Sequence, residues 1–175
     1  MLMLRDQVMA CAIALAIHPT TLIARADRQS YQVHVPTRAS VQAPPVAASA
    51  RLPEGAGQVR LPEQNWSVAS NSQSGATVRL VADHSFQNLE DPSICRDARM
   101  DLRIITQSCS GNWIGTRPRA STDHEAAGGT TFVEAQSSKP GSAAIGLVVT
   151  FEQTDSAFTP AGCYELTVTG TIVAN

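Results

Sequence analysis

The chain has 175 residues, enough for one domain of ordinary size. It is 43% apolar and 16% charged, a balance unlike that of a disordered tail. A formal net charge of -2, with 12 of its 13 basic residues arginines scattered along the chain, gives no electrostatic case for nucleic acid.

Residues 1–26 differ from everything after them. Arg5 and Asp6 precede an apolar run over residues 8–17 (VMACAIALAI), and the segment closes on Ala24-Arg25-Ala26. A charged start, an apolar run of about 7–15 residues and an A-x-A end predict a secretory signal peptide. The run falls short of the roughly 20 residues that span a bilayer. An amphipathic first helix and a lipoprotein-type site at Cys11 are the alternatives. Cleavage after Ala26 leaves a mature chain of 149 residues with 11 basic and 14 acidic side chains and no transmembrane segment. The expected localisation is therefore secreted, cell-surface or periplasmic.

Residues 27–175 form one predicted domain, and period-two alternation dominates it. Tyr31-Gln32-Val33-His34-Val35 alternates and stops at Pro36, as a first strand would. Residues 41–57 carry Pro44, Pro45 and Pro53 and are either a loop or an edge strand broken by proline. Further strands are expected at 76–82 (ATVRLVA), 99–106, 130–135 (TTFVEA) and 143–151 (AAIGLVVTF), the last central. Met100, Leu102 and Ile104 face one way, and Arg99, Asp101 and Arg103 the other. The stretch 164–174 reads as one long half-buried strand with Leu166, Val168, Gly170 and Ile172 inward. Turn-forming clusters separate these runs at 70–75, 126–129, 137–141 and 159–162, and Asp91-Pro92-Ser93 opens a short turn before Cys95. No segment holds a 3.6-residue period. The pattern predicts an all-β, immunoglobulin-like antiparallel sandwich of about 7–9 strands. Gly162 is expected to turn the chain sharply, and Tyr164 to bury its ring and bond backbone at the corner. Trp66 and Trp113 are expected in the core.

Two stretches resemble known secreted proteins. Residues 66–78 (WSVASNSQSGATV) are similar to a W-x-V-x-S-N-x-x-x-G hairpin of secreted bacterial surface proteins. Pro160-Ala161-Gly162-Cys163-Tyr164, followed by Leu166 to Ile172, resembles the closing strand of pilin-like and spore-coat-U-like sandwiches, and residues 121–175 look like small exported β-sandwich proteins of environmental bacteria. The resemblance implies the fold and the compartment. The ending Val173-Ala174-Asn175 departs from fimbrial subunits with an aromatic near the terminus.

Removal of the signal discards Cys11 and leaves Cys95, Cys109 and Cys163, an odd number. An antiparallel neighbour of the closing strand favours a Cys109–Cys163 disulfide, with Cys95–Cys109, Cys95–Cys163 or no bond as alternatives. There is no C-x-x-C for zinc or redox chemistry. Asp83-His84 and Asp123-His124-Glu125 carry metal-ligating and general-base groups, but neighbours on a strand point to opposite faces and these pairs fall near loops. Glu90, Asp91, Asp97 and Asp101 lack the D-x-D-x-D-G order of a calcium loop. With no G-x-S-x-G, H-E-x-x-H or phosphate loop, neither a catalytic nor a cofactor or metal site is predicted. The expected role is a non-enzymatic structural or adhesion-type surface protein, self-associating or binding other surface components. A carbohydrate- or calcium-binding module is the alternative, and a small hydrolase with His84 or His124 as base is a third.

Overall fold

A computed structural model describes residues 29–125, 129–153 and 159–175. The expected signal peptide at 1–26, with Cys11, and most of the expected turn at 126–129 lie outside these residues. By internal contacts the chain divides into Met1–His34 and Val35–Asn175, and every strand described lies in the second unit.

The alternating runs fold as an all-β sandwich of two antiparallel sheets. Its strands are β1 (Ala39–Gln42), β2 (Gln58–Arg60), β3 (Gln64–Ser70), β4 (Ala76–Ala82), β5 (Phe86–Asn88) and β6 (Cys95–Gln107). They continue with β7 (Trp113–Arg117), β8 (Arg119–Ser121), β9 (Thr131–Ser137), β10 (Gly141–Glu152), β11 (Tyr164–Glu165) and β12 (Val168–Ala174). The larger sheet runs β1-β3-β10-β6-β5-β11, with β2 continuing along β10 and β8 along β6; the smaller runs β12-β4-β9-β7. There are twelve strands among the described residues, more than the seven to nine expected, because β2, β5, β8 and β11 are pieces of two or three residues. Pro62 and Pro118 stand at two of the breaks, where a residue without an N–H interrupts a ladder.

The β-branched run expected at 143–151 is central, as β10, with β3 and β2 on one side and β6 on the other. Its inward residues Ile145 and Leu147 meet Trp66, Val78, Leu80, Met100, Leu102, Trp113 and Val133 between the sheets. Burial of each such large side chain stabilises by about 1.5–3 kcal/mol. Both tryptophans are in this core, as expected. A second, aromatic cluster joins Phe86, Ala98 and Phe151, with Tyr164 packed on it. The Phe86, Phe151 and Tyr164 rings meet edge to face at 5.2 and 5.3 Å. The Tyr164 hydroxyl donates to the Pro160 carbonyl at 3.0 Å, the corner bond its position predicted. A Cβ on Gly162 would fall 2.5 Å from the Asn88 side chain, so only glycine fits that approach.

Several expectations change in the folded chain. Residues 31–35 form no strand; Tyr31 and Val33 are each 84% exposed. The Asn71 side chain takes the Pro36 carbonyl and the Arg38 amide, and the ladder with β3 starts only at Ala39. Of the segment 41–57, Val41 and Gln42 belong to the edge strand β1, and 43–57 is irregular beyond it. The stretch 66–78 is not a hairpin but an arch, because β3 belongs to the larger sheet and β4 to the smaller. Its Ser-Asn-x-x-x-Gly residues make that crossing. Ser70 Oγ accepts from the Ser72 amide, Asn71 ties β1, and Gly75 turns at φ +81°. A Cβ on Gly75 would sit 1.9 Å from the Ser137 carbonyl. The run 164–174 is likewise two strands in different sheets, with the crossing at Leu166-Thr167. The inward set of that run is as expected, with Leu166, Val168 and Ile172 packed against the core.

The structure holds no Cys109–Cys163 disulfide, and Cys95, Cys109 and Cys163 are free in it. The closing strand lies beside β4 rather than beside the strand that leads to Cys109. Cys95 opens the 13-residue β6, and Cys163 lies at that same end, where its carbonyl accepts from the Leu89 amide. Cys109 follows the other end, on the order of 40 Å away at strand rise, against the roughly 4.4–6.8 Å a disulfide allows.

Candidate functional site

The outer face of the larger sheet carries a network of ion pairs. Register fixes its composition. Around the middle of β10 and β6, cross-strand neighbours facing outward are Glu152 and Asp97, Thr150 and Arg99, Val148 and Asp101, and Gly146 and Arg103. β8 adds Arg119 beside Asp101 and Ser121 beside Arg99, and β2 adds Arg60 beside Thr150. Arg99 bonds Glu152 at 2.6 Å and Asp101 at 3.4 Å, and Arg119 also pairs with Asp101. Arg103 holds Glu63 through two bonds of 2.6 Å, and that carboxylate lies over Gly146, where a Cβ would fall 2.0 Å from Oε1. These flat-lying pairs cover the strand beneath: Val148 and Thr150 point outward yet are 4% and 2% exposed. The Arg103 hydrogen bonds hold the Glu63 carboxyl below the usual carboxylate range and raise the guanidinium correspondingly.

Toward the other end of the same face the charges stop. Two rows cross the neighbouring strands: Ser40, Ala69, Ser142 and Ser108, then Gln42, Ser67, Ala144 and Thr106. These short side chains leave a shallow hollow of about 320 Å³. It offers hydroxyl and amide groups without an ionisable side chain among its lining residues.

The residues singled out in the sequence are spread through the scaffold. The Asp83 carbonyl accepts from Thr130, and its carboxylate accepts from Thr169. His84 Nδ1 lies 2.7 Å from the Ser85 carbonyl, an acceptor, so that ring nitrogen carries a proton. Asp123 Oδ1 accepts from the Glu125 amide. His124 pairs not with its neighbour but with Asp97, 2.8 Å away on β6; Asp97 also accepts from the His124 amide and from Thr122 Oγ1. Asp91 accepts from the Ser93 hydroxyl and amide in the expected turn, and these bonds lower its pKa. Glu90, Asp91, Asp97 and Asp101 therefore do not converge. Among the described residues no group of three or more His, Cys, Asp or Glu could hold a metal ion.

The smaller sheet carries its own polar row. Arg79 bonds Glu134 at 2.6 Å, Thr116 donates to the same carboxylate, and Arg79 and Arg117 stack on Phe132 at 4.9 and 4.3 Å. The Arg79 and Thr116 bonds lower the Glu134 pKa.

The Asp97–His124 pair and the two small-residue rows were not foreseen. The rows leave a trace in the sequence, since Ser and Ala fill 67–69 and 142–144 around single residues, but pairing them requires the register. No family model matches the chain, and no curated protein or solved structure matches it.

Proposed function

We propose that the chain is a non-enzymatic β-sandwich that works outside the cytoplasm as a structural or adhesion-type component. One observation carries this reading: Asp83, His84, Asp91, Asp97, Asp101 and His124, all flagged in the sequence, are tied to the scaffold itself. Asp97 anchors the loop of His124, Asp83 binds Thr130 and Thr169, and Asp91 holds its own turn. The leader pattern of residues 1–26 and the likeness of residues 160–172 to pilin-like and spore-coat-U-like closing strands support the compartment.

Fractionation of the producing cell, with intact mass of the recovered protein, tests it. The expected result is a chain beginning at Asp27 in the exterior fraction. Recovery from the cytoplasm alone with Met1 retained overturns the reading.

The hollow lined by Ser40, Gln42, Ser67, Thr106, Ser108 and Ser142 favours a second reading, a module for a neutral, hydroxyl-rich ligand such as a carbohydrate. Its volume of about 320 Å³ is at the small end of ligand sites. Titration with neutral polysaccharides tests this, and binding that survives a charge change at Arg38 but not Ser67→Trp is expected.

A further inference from the structure

Among the described residues, strand β12 differs from the edge strands β1, β11 and β7. Edge strands are templates for pairing, and proteins blunt them with short length, proline, charge or a bulge. β1 has four residues, with Pro36 before it and Pro44 after it, and β11 has two. β7 carries a bulge between Gly115 and Arg117 and runs into Pro118. β12, by contrast, is seven residues long (VTGTIVA) and pairs with β4 in unbroken register. It holds no proline and no ionisable side chain.

Its unpaired backbone groups follow from the register. The Asn175 amide donates to the Gly75 carbonyl directly opposite, so hydrogen-bonded pairs fall at alternate positions. Thr169, Thr171 and Val173 belong to that set and turn their amides and carbonyls toward β4. The amides and carbonyls of Val168, Gly170, Ile172 and Ala174 therefore point to the open edge. Among the described residues they take no backbone partner from another strand. β1 comes close to β12, where its Val41 and the Trp66 ring of β3 face Gly170, but it forms no ladder with it.

We infer that β12 is the contact through which two copies of this chain pair, edge to edge and antiparallel about a two-fold axis. The partner is a second copy because the strand is complementary to itself. Antiparallel self-pairing centred on Thr171 sets Val168 opposite Ala174 and Gly170 opposite Ile172, so all four outward positions meet outward positions. Thr171 then faces its own copy in a closely spaced, non-hydrogen-bonded pair, and Thr169 faces Val173, which is 66% exposed in the single chain. No like charges are brought together within the strand. The result is an isologous interface that joins two four-stranded sheets into one of eight. This inference does not depend on where in the cell the chain works.

Light scattering of the full chain across micromolar to millimolar concentration tests it, with amide exchange on the same samples. The expected result is a shift from monomer to dimer mass, with the Val168, Gly170, Ile172 and Ala174 amides slowing as the dimer fills. Thr171→Lys and Thr171→Glu each place like charges on the axis and are expected to weaken pairing about tenfold or more. An equimolar mixture of the two is expected to restore the dimer, and thermal melting shows each variant folded. A monomer mass throughout overturns the inference. So does a dimer indifferent to both variants, or outward amides that exchange equally fast at all concentrations.

Discussion

The two halves of the larger sheet's outer face share strands and pleat, yet they solve exposure differently. In one half Arg99, Arg103 and Arg119 lie over β10 and β6 with Glu63, Asp101 and Glu152, and the backbone beneath is hidden. In the other half serines, alanines, a threonine and a glutamine stand in two open rows. The difference teaches that charge here covers and fastens, whereas the open surface is the uncharged one. A salt bridge whose partners are largely exposed contributes little stability, so the charged half should matter where its groups also hold backbone.

The largest effect is therefore expected at Asp97, which accepts from Thr122, the His124 amide and the His124 ring. Asp97→Ala should cost about 2 kcal/mol in urea unfolding, since a half-buried acceptor is lost from two backbone-anchoring groups. A loss no larger than that of a surface substitution would break the contrast. A smaller effect is expected in acid. The Glu63 carboxyl is held below its ordinary pKa, so its contribution is complete above the unfolded value and disappears as pH falls through the folded one. Melting temperature against pH should fall below roughly pH 4, less steeply in Gly146→Ala, whose methyl displaces the Glu63 carboxylate. The smallest effect belongs to the open rows. Ser67→Ala with Ser142→Ala should change stability by no more than about 0.5 kcal/mol.

Alternation made most of the strands legible: 76–82 is β4 to the residue, and Met100 and Leu102 face the core as read. Pairing was less legible, because an arch and a hairpin are written in the same residues. Ser70 to Gly75 signals a turn, but whether the next strand pairs with the last or crosses to the facing sheet depends on partners far away. The same ambiguity merged β11 with β12, and from that merger came the misplaced Cys109–Cys163 bond. At the candidate site the small residues were visible, yet their assembly into rows needed the register of β1, β3, β10 and β6. His124 lies next to Asp123 in sequence, and only the β6–β8 pairing, which brings Thr122 against Ala98, carries it to Asp97.

The arches also bear on how the chain reaches its fold. β4 pairs with β12 between positions 86 to 98 apart, from Val168 with Ala82 to Ala174 with Ala76. During synthesis β4 exists for a long interval before the strand that completes its sheet has been made. Contacts of such sequence separation make folding slow, in the range of milliseconds to seconds for sandwiches. An intermediate lacking β12 would leave β4 with a bare edge of alternating apolar residues, open to aggregation. Truncation before Val168 should therefore yield insoluble chain rather than a smaller, folded sandwich.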